Sequence, residues 1–162
     1  MSPNKQTEYG LLYYDIPANN MTLYSKIKRM VNLSCLPVNL SVYVFDWSLK
    51  PMIENELQRL NAFKLANINM IKFDNASASE LETIIVIQME KLFEKIKQRV
   101  VHSMSNIETS EKKEKYLERM YDKLKGFDKL LTIYEFTKKT EPALKILRQS
   151  IDTEYANIKG KV

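Results

Sequence analysis

The sequence predicts an α+β fold. A small sheet over residues 1–76 follows the order strand, helix, strand, strand, helix, strand, and a C-terminal extension of about three helices fills residues 77–162. Three observations carry this. Short aromatic and aliphatic runs closed by turn residues alternate with helical spacing in the first half. From residue 77 onward the apolar spacing keeps a helical period with few breaks. With only 3 glycines and 5 prolines among 162 residues, the chain lacks the composition of a long low-complexity linker, so one structural domain with the extension packed on the core is expected.

The first strand is "YGLLYYDI", rich in β-formers and stopped by Pro17. Asn20 is placed to cap a helix from about Met21 to Asn32, with Leu23, Ile27, Met30 and Val31 on one face. "SCLPVN" reads as an edge strand, because Pro37 cannot donate to a central ladder. "LSVYVFDW" is the clearest strand, with Val42, Val44 and Asp46 on one side and Tyr43, Phe45 and Trp47 on the other. Ser48 then reads as the cap of a second helix, with Pro51 in its first turn and Met52, Ile53, Leu57, Leu60 and Phe63 facing inward. "ANINMIKFD" is the fourth strand. Ser77 and Glu80 fit a capping box at the head of a long helix that runs to about Met104. A charged helix follows from about Ser110 to Phe136, with Gly126 as a point of kink or break. Thr140 and Pro142 open the last helix, which ends near "NIKGKV".

That order implies a ferredoxin-like βαββαβ sheet with spatial order 4-1-3-2 and both helices on one face. The stripe from Leu81 onward, or a second copy of the chain, is expected to cover the other face. Three strands end in aspartate: Asp15, Asp46 and Asp74. With strands 1 and 3 taken as adjacent and parallel, Asp15 and Asp46 are expected together at one edge, and Asp74 at the far one. Paired carboxylates hold Mg²⁺, which prefers oxygen ligands. Aspartates also cap turns and helices, and Asp74 before "NASAS" fits that plain role.

The formal net charge is +5, and all of it lies in the second half. Residues 1–88 hold 8 basic and 8 acidic side chains, while residues 89–162 hold 17 and 12. A basic excess permits contact with nucleic acid. Lys26, Lys28 and Arg29 in "SKIKRM" have no acidic neighbour and are the better candidates; Lys95, Lys97 and Arg99 in "EKIKQR" add a second group. In "EKKEKYLER" acids alternate with the bases, the mark of a solvated helix surface. Other chemistry is thin. His102 has no Cys or His partner at zinc spacing, and Cys35 has no base beside it. No glycine-rich phosphate loop and no nucleophile elbow occur, so no small-molecule cofactor is expected. A single cysteine excludes an internal disulfide and fits the cytoplasm. The N-terminal residues lack a signal-peptide apolar region, no window reaches the about 18 uncharged apolar residues of a membrane span, and the four sequons at Asn20, Asn32, Asn39 and Asn75 are expected by chance in an Asn-rich chain.

"LLYYDIP…LYSKIKRMV…LSVYVFDW…IENELQRL" resembles the ferredoxin-fold group that holds the C-terminal domain of PaaX-type repressors and the small CRISPR-associated spacer-integration nucleases. The resemblance implies a homodimer and, in the nuclease members, a metal-binding aspartate at the end of strand 1, a role that falls on Asp15. Further on, "KLKGFDKLLTIYEFTKKTEPALKIL" is similar to the N-terminal domain of chromate-resistance ChrB proteins, with Glu135 of "TIYEF" near the family's acidic position. The second ChrB domain is lacking, so chromate chemistry is not carried over. Three functions are expected in this order: a non-enzymatic binding or regulatory protein of the ChrB N-terminal type that contacts DNA or RNA; a Mg²⁺-dependent nuclease using Asp15, with Asp46, at a dimer interface; and a scaffold that binds another protein through its long helices.

Overall fold

The computed structural model describes residues 7–39, 41–74 and 78–160. Ser77 of the expected capping box and the sequon at Asn75 lie outside them. The chain divides into two compact units, Met1–Ile85 and Val86–Val162.

In the first unit the strands are β1 (Tyr9–Asp15), β2 (Leu36–Asn39), β3 (Val42–Asp46) and β4 (Asn67–Lys72). They form one sheet in the order β2-β3-β1-β4, and every neighbouring pair is antiparallel. Helix α1 (Met21–Val31) joins β1 to β2; α2 (Lys50–Arg59) and the short α3 (Ala62–Leu65) join β3 to β4. The fold is α+β, and the strand order is the expected one. The expected direction of β3 is not. β1 and β3 are antiparallel, with Tyr9 opposite Asp46 and Tyr13 opposite Val42. β3 opposes β2, and β2 in turn runs parallel to β1.

Alternation decides which residues enter the core. Leu12, Tyr14, Tyr43 and Phe45 point to one face and pack with Leu23, Ile27 and Val31 of α1, Ile53 and Leu57 of α2 and Ala62 of α3. Gly10 lies on that face too. A Cβ there would come within 2.5 Å of a Trp47 ring carbon and 2.8 Å of a Phe45 ring carbon, so the stacked Phe45–Trp47 pair needs glycine beneath it. Leu36 and Val44 are buried on the opposite face, where the Tyr9 hydroxyl donates to Glu82 Oε1 at 3.0 Å.

Asn20 caps α1, accepting from the Leu23 amide at 3.1 Å. The next cap differs from expectation. The Asp46 carboxylate, not Ser48, caps the chain as it leaves β3: Oδ1 accepts from the Ser48 amide at 2.9 Å and from its hydroxyl at 2.7 Å. One 3₁₀ turn (Trp47–Leu49) comes before α2, which has no side-chain cap. The helix stops at Arg59 because Asn61 takes a left-handed φ of 55°.

In the second unit, the remainder of α4 (Ala78–Asn106) is followed by α5 (Ser110–Ile133), a 3₁₀ segment (Glu135–Thr140) and α6 (Glu141–Lys159). Met89, Phe93, Ile96, Val100, Leu117, Met120, Leu124, Leu144, Leu147 and Ile151 are buried at helical spacing. α5 runs unbroken through Gly126, whose missing side chain would meet open space. Thr140 does not cap α6 with its side chain; its hydroxyl donates to the Thr137 carbonyl at 2.7 Å.

Candidate functional site

Antiparallel pairing takes apart the expected aspartate pair. Asp15 closes β1 opposite Asn67, whereas Asp46 lies opposite Tyr9, where β1 begins. The two positions lie six residues apart along the extended chain, roughly 20 Å at the rise of a strand. Asp46 instead shares its end of the sheet with Asp74. The Phe73 amide donates to the Tyr9 carbonyl at 2.8 Å, which sets Asp74 one residue past β1's start and two strand spacings from Asp46, roughly 10 Å. Asp46 is occupied as a cap. Asp15 is exposed and borders an open depression of about 400 Å³ with Pro17, Lys64, Leu65, Ala66 and Asn67. Among the described residues it is the one carboxylate in that lining, and its basic neighbour is Lys64. Among the described residues no three of His, Cys, Asp and Glu come together as a metal site.

The single thiol and the single imidazole carry no catalytic geometry. Cys35 is fully buried, and burial pushes its thiol up to about 12, so at neutral pH it is protonated and a poor nucleophile. His102 is exposed on α4, with Nε2 3.0 Å from Asn106 Nδ2.

The basic side chains of α1 are arranged differently. Leu23, Ile27 and Val31 fix its inner face. At 3.6 residues per turn, Arg29 then falls near the middle of the outer face, with Lys26 and Lys28 roughly 60° and 100° to either side of it. All three are exposed, and none forms an ion pair among the described residues. Lys28 Nζ lies 5.7 Å from the centre of the Tyr24 ring, which holds its stem along the helix. The other groups are less open. Lys97 pairs with Glu94 at 2.9 Å, while Lys95 and Arg99 are exposed one turn apart on α4. On α5, Lys115 pairs with Glu111 at 2.6 Å and Lys125 with Asp122 at 3.3 Å, which is the solvated-face pattern.

Two tyrosine groups had no signal in local spacing. Tyr14 stacks on Tyr43 at 5.9 Å and meets Tyr24 edge-on at 6.4 Å, with its hydroxyl buried. In the second unit the Tyr121 hydroxyl donates to Asp152 at 2.5 Å and that of Tyr155 to Glu114 at 2.9 Å. Burial first, and the Asp152 carboxylate second, push the Tyr121 phenol up to about 12. These partners lie 31 and 41 residues apart, beyond any periodicity argument.

No helix among the described residues is long and apolar enough to cross a membrane. No protein-family model, curated protein or solved structure matches the chain.

Proposed function

We propose that this chain is a non-enzymatic nucleic-acid-binding protein of the cytoplasm, built on a ferredoxin-like βαββαβ unit of the ChrB N-terminal type. Its contact surface is the outer face of α1. The observation that carries the reading is the set Lys26, Lys28 and Arg29, solvent-facing on one helix and without acidic partners among the described residues. Cations held in this way exchange counterions for phosphates, the sequence-independent term in nucleic-acid affinity. Arg29 brings a planar fork suited to a phosphate, and the two lysines bring point charges on either side of it. Lys95 and Arg99 form a second, smaller set on α4. The separation of Asp15 from Asp46 removes the two-carboxylate basis of the nuclease reading.

Fluorescence anisotropy with short DNA and RNA duplexes and single strands, titrated at low and moderate salt, tests this. Binding is expected to weaken with salt. In Lys26→Glu/Lys28→Glu/Arg29→Glu it is expected to fall with a shallower salt slope, by about 0.9 for each phosphate that the variant no longer neutralises on duplex DNA. Absence of binding at low salt, or binding indifferent to the triple substitution, sinks the proposal.

A further inference from the structure

The sheet ends in two unlike edges, and the pairing shows which backbone groups each leaves open. The Phe73 amide donates to Tyr9, which makes Tyr9 and Phe73 a hydrogen-bonded pair. Bonded and non-bonded pairs alternate along an antiparallel ladder. The bonded pairs between β1 and β4 are therefore Leu11 with Ile71, Tyr13 with Asn69 and Asp15 with Asn67. It follows that Ile68, Met70 and Lys72 direct both N–H and C=O away from β1. Among the described residues no strand follows β4 in the sheet. The opposite edge is blunted. The Tyr14 amide donates to Ser41, so Tyr43 bonds toward β1 and Val44 toward β2, and Pro37, opposite Tyr43, faces outward. It has no N–H to offer, and the register shifts immediately after it.

β4 has none of these protections. It contains no proline, no bulge and no charge before Lys72 at its end. Large apolar side chains are exposed around it: Ile71 on the strand is 62% exposed, and Phe63 and Leu65 on the adjoining α3 are 42% and 45% exposed. We infer that β4 is an association surface whose occupant is β4 of a second copy of this chain, paired antiparallel about a two-fold axis through Met70.

That register satisfies every constraint at once. A two-fold perpendicular to the sheet keeps each residue on its own face, so only residues of the same parity can stand opposite each other. With Met70 on the axis, Ile68 bonds to Lys72 of the copy and Met70 to Met70, and all three outward-facing residues of each strand are paired. Met70 and Ile68, half-buried at the margin of the core, continue the apolar layer across the join. On the other face Asn69 stands beside Ile71 of the copy. The two Lys72 side chains fall at opposite ends, each near its own Glu8, to which it is paired at 2.9 Å, so no like charges meet. The same axis leaves both α1 helices on one side of an eight-stranded sheet, with their cationic faces looking the same way.

The test is sedimentation velocity on the full chain without nucleic acid, from micromolar to submillimolar concentration. It is therefore independent of whether α1 binds phosphate. The chain is expected to pass from monomer to dimer. Asn69→Lys/Ile71→Lys, two exposed positions, sets lysine against lysine twice across the axis and is expected to weaken dimerisation roughly hundredfold. Met70→Pro removes one outward N–H without touching the β1 ladder and is expected to abolish the dimer, with a folded monomer confirmed by circular dichroism. A chain that stays monomeric throughout, one that binds a foreign strand at β4 but not itself, or a dimer unchanged in both variants overturns the inference.

Discussion

β2 and β4 are both edge strands of one antiparallel sheet, and they are built to opposite ends. β2 has four residues, an outward-facing proline and a shift of register. β4 has six regular residues with three outward donors and acceptors and its first charge at the far end. An unpaired edge is an invitation to pair, and proteins that stay alone close it off. On the inferred dimer, position at the edge does not by itself make a surface adhesive; the residue at each outward backbone position does.

The two edges differ in this way only while the strands between them hold their places, and Gly10→Ala strains that condition most. The new methyl would press on Trp47 and Phe45 from 2.5 and 2.8 Å, so a loss of about 1–3 kcal/mol is expected in urea denaturation. A cost near zero would show that the aromatic pair is loosely seated. Asp46→Ala removes the cap at the end of β3, and a loss of about 1 kcal/mol is expected. Pro37→Val sharpens the contrast directly, since it restores an outward N–H to the blunt edge. Added association at high concentration, seen by light scattering, is the expected sign; no change would mean that the register shift alone closes β2. Asp15→Ala is expected to move stability by less than about 0.5 kcal/mol and to leave association unchanged. A larger loss, or loss of a Mg²⁺-dependent cleavage activity, would restore the metal reading of that residue.

A further expectation belongs to the second unit. The Tyr121 phenol is raised above its unfolded value near 10, to about 12, by burial and by Asp152. A raised value contributes stability that is fully present below about pH 10 and lost as pH climbs through about 12. Tyr121→Phe should flatten that part of the pH–stability curve.

Much of the fold was legible in the sequence where the information is local. Alternation in "LSVYVFDW", the stop at Pro17 and the Asn20 cap each depend on a few neighbouring residues, and the four strands and α1 follow from such signals, while the strand order follows from the succession of elements. Strand direction is not local. It depends on counting reversals around the sheet, and leaving out one reversal between β2 and β3 puts Asp15 next to Asp46, when their positions lie six residues apart along β1. Ser48 and Asp46 are two residues apart and either can cap. The carboxylate does so because β3 ends at Asp46 and one 3₁₀ turn precedes α2. Gly126 invited a break, yet α5 continues through it because Leu117, Met120, Leu124, Leu130 and Leu131 bury the same face on both sides. The edge at β2 was visible through Pro37. That β4 lies at the other edge was legible too, in the order 4-1-3-2; which of its backbone groups face outward was not, because that follows from its register with a strand more than fifty residues away.

Amide hydrogen exchange along β4 tests the central claim most directly. At concentrations where the dimer forms, the outward amides of Ile68, Met70 and Lys72 should gain protection to match the inward amides of Asn69 and Ile71, and lose it again on dilution or in Asn69→Lys/Ile71→Lys. Fast exchange of those three amides at every concentration, with Asn69 and Ile71 protected throughout, would leave β4 an open edge and contradict the account.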